Sequence, residues 1–290
     1  MISEKKVLTR DQASEIIRRA SSDDSVLVGG QAVVFWCEHF GIAQPLPVLT
    51  RDIDFYGGKE AIVAAADRLK VFNARVYMAS LDDATPNSGK IAFDLPGLEA
   101  GEIDFLYLIK GLGSMEVLEK AVPIVIDGIE INMIHPVLLL ESKLTNVATI
   151  VRKRDPEGLA QAALAIDVVK HFIGSSIGMV EPRATLNILK RVLRYADTDE
   201  AKYCWYHHGI DSLDAVPLDV LQTSPEAVIQ RFVSEGLPVE RQRIEEHRAR
   251  YQSIVDRQKA YEAGRHASAP QPTKTSVRRP APADDDPSPY

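Results

Sequence analysis

The chain has 290 residues, 45% of them hydrophobic and 26% charged, a globular composition with room for one large domain or two small ones. Its formal net charge of −7 excludes a protein that coats nucleic acid with its whole surface, and leaves a local basic patch as the way to meet RNA. No apolar run reaches the ~18 residues of a membrane span, the opening Met1–Lys6 stretch has no signal-peptide core, and the cysteines are two, Cys37 and Cys204; a cytoplasmic protein with no membrane partner and no disulfide framework is expected.

Thr9 and Gln12 form a capping-box pattern ahead of Ala13, Ile16, Ile17 and Ala20, which share one helix face. Val26–Val28 then reads as a short buried strand ending in Gly29-Gly30, and Ala32 to Phe40 as a buried helix stopped by Gly41. Gln44-Pro45-Leu46-Pro47 forces a loop, because proline cannot donate to a helix or a central ladder. A second strand is predicted from about Leu49 to Tyr56, then a helix through Ala61, Ile62, Ala65 and Leu69. Strand candidates follow at 74–79, 90–93 and 103–109, with 82–87 as a surface loop, for a sheet of four or five strands. Pro123 to Met133 reads as a hairpin about Asp127-Gly128, a pair that tolerates positive backbone angles.

From His135-Pro136 the pattern turns helical. Helices are predicted around Leu138–Lys143, Leu159–Phe172 and Leu186–Leu193, a fourth opening at Ser224-Pro225-Glu226, and a long charged fifth over 239–263. After about Arg265 prolines alternate with Ser, Thr, Arg and Asp, a composition that cannot bury enough apolar surface to stay ordered. The expected fold is α+β: a mixed sheet flanked by helices over 1–134, a mostly α-helical part over 135–264 and a disordered Pro-rich tail over 265–290.

The chemistry lies in the carboxylates. Side chains alternate across a strand, so Asp52 and Asp54 share one face while Ile53 and Phe55 take the other. Two acids so close raise each other's pKa unless a cation intervenes, and Mg²⁺, which takes oxygen ligands and shares its sphere with phosphates, suits them. A two-metal site needs a third acid, and Glu102-Ile103-Asp104-Phe105 offers Asp104 if its strand pairs beside the second. Gly29-Gly30 at the start of a helix would let backbone N–H groups approach a triphosphate. Each part alone has a plain alternative, in a surface strand, a tight turn or a strand cap; the ordered combination is far more specific.

That combination resembles the DNA polymerase β-like nucleotidyltransferases, whose signature is a hydrophobic residue, Gly-Gly or Gly-Ser, a helix, Asp-hydrophobic-Asp and a later third carboxylate. Val28-Gly29-Gly30-Gln31-Ala32, Arg51-Asp52-Ile53-Asp54-Phe55 and Glu102-Ile103-Asp104-Phe105 carry the likeness. Within that superfamily it is similar to the AbiEii/AbiGii-type toxin nucleotidyltransferases, through Lys143 in a helical segment and the tract Arg152-Lys153-Arg154-Asp155. It departs from them in a longer gap between Gly30 and Asp52 and in the Pro156-Glu157-Gly158 that follows Asp155, whose role is thereby left open.

The resemblance implies that Asp52, Asp54 and Asp104 are catalytic and hold two Mg²⁺ ions, with Asp104 helping to deprotonate the acceptor. Gly29, Gly30, Gln31, Arg51 and Lys143 would bind the nucleotide, with Arg152 as a further charge; for Lys143 the alternative is a solvated helix residue. The activity implied is transfer of NMP from an NTP to an acceptor hydroxyl on RNA or protein, as the toxin of a toxin–antitoxin or phage-defence pair with a cognate antitoxin. The second reading is a non-catalytic nucleotide- or RNA-binding member of the same fold. Cys204-Trp205-Tyr206-His207-His208 has the residue types of a zinc site but no second ligand pair.

Overall fold

The computed structural model describes residues 8–43, 52–80, 82–83, 85–95, 98–126 and 128–268, with only the backbone given for 98–100 and 264–268. Arg51, the Gln44–Pro47 loop, the first residues of the predicted second strand, Asp127 and the tail from residue 269 lie outside these described residues. The fold is α+β. In chain order, α1 (Arg10–Ala20), β1 (Val26–Val28), α2 (Gly29–Phe40), β2 (Asp52–Tyr56), α3 (Lys59–Arg68), β3 (Arg75–Met78), β4 (Asn87–Leu95), β5 (Leu98–Leu106), α4 (Ser114–Glu119), β6 (Val122–Ile126) and β7 (Ile129–Met133) build the sheet layer. The helices α5 (Pro136–Thr149), α6 (Pro156–Ser176), α7 (Pro182–Ala196), α8 (Asp199–His208), α9 (Leu218–Gln222), α10 (Ala227–Arg231) and α11 (Leu237–Ser268) follow.

The local signals act as their chemistry dictates. Thr9 caps α1, its hydroxyl accepting from the Gln12 N–H while the Gln12 side chain accepts from the Thr9 N–H. Gly41 closes α2 in the left-handed region at φ 66°, where a Cβ would cost about 1–2 kcal/mol. His135 enters α5 as its cap, Nδ1 accepting from the Val137 N–H at 3.2 Å.

Among the described residues the sheet has seven strands in the order β3-β4-β5-β2-β1-β7-β6, more than the four or five expected. The β6–β7 hairpin joins the main sheet because β7 runs parallel to β1, with Leu27 opposite Met133 and the Ile134 N–H donating to the Leu27 carbonyl at 3.0 Å. β5 also differs from its predicted span. It begins at Leu98 and ends at Leu106, since β4 recruits the Leu98–Gly101 stretch by pairing Phe93 with Gly101 and Leu95 with Leu98. Glycine is required at 101, where a Cβ would lie 2.2 Å from the Phe93 ring.

Behind the sheet the alternation works as expected: Ile53, Phe55, Ile103 and Phe105 are fully buried, and the rings of Phe55 and Phe105 stack at 5.5 Å. The residues up to Arg248 form one compact unit and those from Ala249 a second. In the first, a continuous apolar core runs from Leu8 through Trp36, Leu138 and Val169 to Ile244, and the Trp36 indole N–H donates to the Ile134 carbonyl at 3.0 Å. Of the predicted fourth and fifth helices, the fourth starts at Ala227, two residues after the expected proline, because Ser224 Oγ accepts from the Glu226 N–H in a turn ahead of the helix. A π turn over Phe232–Gly236 then carries it into α11 without a break. No described helix is long and apolar enough to cross a membrane.

Candidate active site

Strand register decides the site. β5 lies parallel to β2 with Asp104 opposite Asp54 and Glu102 opposite Asp52. β1 lies antiparallel on the other side of β2, with Val28 opposite Asp54. β4 lies antiparallel beyond β5, with Lys90 opposite Asp104. Since neighbours in register point to the same face, one row across the sheet reads Lys90, Asp104, Asp54, Val28, and the next carries Glu102 and Asp52. Asp104 therefore sits inside its strand. The dependence of the site on this strand order was the main requirement of the carboxylate pattern, and the order brings the three aspartates to one face.

Gly29 closes the row. At φ 68° its backbone is left-handed, and a Cβ there would lie 1.9 Å from Asp54 Oδ2. Only glycine lets the start of α2 approach that carboxylate so closely. The N-cap of α2, Val28, makes no side-chain cap hydrogen bond, and a helix start carries partial positive charge that favours an anion. Gly30 and Gln31 are buried in that turn.

Burial pushes the Asp54 carboxyl up to about 6, and the charges of Asp104 and Asp52 push the same way, against the attraction of Lys143 and Lys153. Asp104 is also raised, first by burial and then by Asp52 and Glu102, with Lys90 opposing. Its Oδ1 accepts from Asn87 Nδ2 at 3.0 Å and lies 3.9 Å from Lys90 Nζ, which donates to Glu102 Oε2 at 2.9 Å.

Lys143, on α5, is not a solvated helix residue. It is 8% exposed, and its ammonium donates to Gln161 Oε1 at 2.7 Å while Gln161 Nε2 donates to Glu157 Oε1 at 3.0 Å. Burial draws its pKa down to about 8, with Asp54 pulling the other way. The basic tract divides by role. Arg152 is exposed. Lys153 acts on the charges of both Asp54 and Lys143. Arg154 donates to the Val147 and Ala148 carbonyls at the end of α5. Asp155 is the cap of α6, Oδ1 accepting from the Gly158 N–H at 2.8 Å, which answers what that residue does.

The donor chemistry suits a hard divalent ion: carboxylate oxygens on one face, with pKa values raised partly by mutual repulsion that a cation would relieve. As the side chains stand, no group of three His, Cys, Asp or Glu among the described residues encloses a metal position. The reading of the sequence missed Asn87 and Lys90; their signal was available only in alternation along β4, with no partner strand to give it meaning. The Cys204–His208 stretch is helical in α8, and burial pushes the Cys204 thiol up to about 12.

No protein-family model matches the chain, and no curated protein matches it. Among solved structures, the polyadenylate synthase of Megavirus aligns at a TM-score of 0.39 with 17% identity, over 60% of this chain and 38% of its own. That likeness is too slight to bear on function.

Proposed function

We propose that the chain is a Mg²⁺-dependent nucleotidyltransferase that moves NMP from an NTP to an acceptor hydroxyl. The observation that carries this reading is the register of β2 with β5, which sets Asp54 beside Asp104 on the face that bears Asp52, under the glycine turn of α2. Two bound Mg²⁺ ions would supply Lewis-acid stabilisation of charge on the α-phosphate and the departing pyrophosphate. Asp52 and Asp54 would hold them, with Asp104 completing one position. Asp104 would take the acceptor's proton as its oxygen forms a bond to the α-phosphorus, while the bond from that phosphorus to the pyrophosphate oxygen breaks and pyrophosphate leaves with the electron pair. Gly29, Gly30 and Gln31 would receive phosphate oxygens at the helix start, and Lys143 and Arg51 would offset their charge.

The test is incubation with each α-labelled NTP, MgCl₂ and either total RNA or cell extract, following label on macromolecule and release of pyrophosphate. Transfer that is lost in the double variant Asp52→Asn, Asp54→Asn supports the reading; full transfer by that variant sinks it. Label in the RNA or the protein fraction names the acceptor. The toxin role, with an antitoxin partner, rests on the resemblance of the motifs and their order; growth arrest on induced expression that the double variant does not cause is its test.

A second reading, a nucleotide- or RNA-binding protein without catalysis, is favoured by one observation: the acids do not converge on a metal position as the side chains stand. Calorimetry separates the two, since a pure binder takes up NTP without divalent ions and yields no pyrophosphate.

A further inference from the structure

We propose that Lys90 is the resident cation of the carboxylate face, a tethered counter-charge beside Asp104 and Glu102 that sets how tightly the site takes a divalent ion. This rests on the metal-dependent reading above. Two observations support it. First, Lys90 is the direct cross-strand partner of Asp104 in the row that also holds Asp54, so its side chain rises among the acids by register. Second, its ammonium has two seats, at 2.9 Å from Glu102 Oε2 and 3.9 Å from Asp104 Oδ1, while Asn87 keeps Asp104 on the same side with a 3.0 Å hydrogen bond.

Electrostatics gives the consequence. A divalent ion entering between the aspartates meets a fixed like charge a few ångströms away, and that repulsion weakens binding. Glu102 makes the arrangement reversible. Because the ammonium already makes its shorter contact with Glu102, it can release Asp104 to an incoming ion without leaving either charge unpaired. Lys90 thus offsets part of the negative charge of the metal-free face and raises the ion concentration needed to assemble the site.

The experiment uses the full chain, stripped of metal, titrated with MnCl₂ alone while free Mn²⁺ is read by electron paramagnetic resonance. Variants are Lys90→Met, Lys90→Arg as the charge-preserving control, and Lys70→Met as an exposed control of equal net charge remote from the acids; Lys90→Gln serves if Lys90→Met fails to fold by circular dichroism. Lys90→Met is expected to bind Mn²⁺ about tenfold tighter than the unchanged chain, with Lys90→Arg and Lys70→Met unchanged. Binding by Lys90→Met that equals or falls below that of the unchanged chain overturns the proposal alone. Absence of Mn²⁺ binding in every form overturns it together with the metal-dependent function.

Discussion

Glu116, on α4, and Asp54, on β2, are both acids drawn into the protein, and their surroundings act on them in opposite directions. Arg191 of α7 bonds to both Glu116 and Glu141, with 2.6 Å contacts to the two Glu141 oxygens. The hydrogen bonds from Arg191 bring the Glu116 carboxyl down to about 2. Asp54, by contrast, is raised to about 6 by burial, with like charges adding to it. Arg191 pairs both acids beside it, so these charges support the fold. The sheet face gathers acids that cost stability where they stand, a pattern characteristic of sites tuned for chemistry.

The sharpest break of this contrast is Asp54→Asn. Transfer is expected to fall about 10²-fold or more, while resistance to urea at pH 7.5 in EDTA rises by about 1–3 kcal/mol, the differential interaction of its two protonation states. A less stable variant would mean that Asp54 belongs with the structural acids. Arg191→Met should do the reverse, costing about 3 kcal/mol by urea unfolding because Glu141, 8% exposed, is left without its partner, with divalent-ion binding unaltered. Gly29→Ala is expected to cost about 2 kcal/mol through its positive φ and the collision with Asp54 Oδ2. In an Asp54→Ala background the contacts with Oδ2 and Cγ are gone while the 2.8 Å approach to the Cβ at position 54 stays, so roughly half of that cost should disappear, which a double-mutant cycle measures.

The same contrast is read as a pH slope. Asp54 binds its proton more tightly folded than unfolded, so its cost is present above about 6 and is relieved as pH falls from there toward 3.8. Glu116 binds its proton less tightly folded, so its support is full above 4.5 and is lost as pH falls from there toward about 2. In metal-free buffer, Asp54→Asn should remove the first slope and leave the second, read as unfolding midpoints between pH 3 and 7.

Much of the fold was legible along the chain because its causes are local. The Thr9 cap, the Gly41 stop and the β6–β7 hairpin depend on residues within a few positions of one another. The misjudged places depend on distant partners. β5 starts early because β4 holds Leu98–Gly101, and the expected break before the last helix is bridged by a π turn in which Gly236 leaves room for the Phe232 ring.

The candidate site divides the same way. The sequence by itself determined that Asp52 and Asp54 share a face, since strand alternation is a property of one chain segment, and that a glycine turn opens the helix after β1. Only the tertiary structure decided that Asp104 stands beside Asp54, that Lys143 is buried and bonded to Gln161, that Asp155 serves as a helix cap, and that Lys90 faces Asp104. Those placements come from strand order and helix packing, where residues tens of positions apart meet, and the spacing along a single strand or helix carries no record of which neighbour it will have.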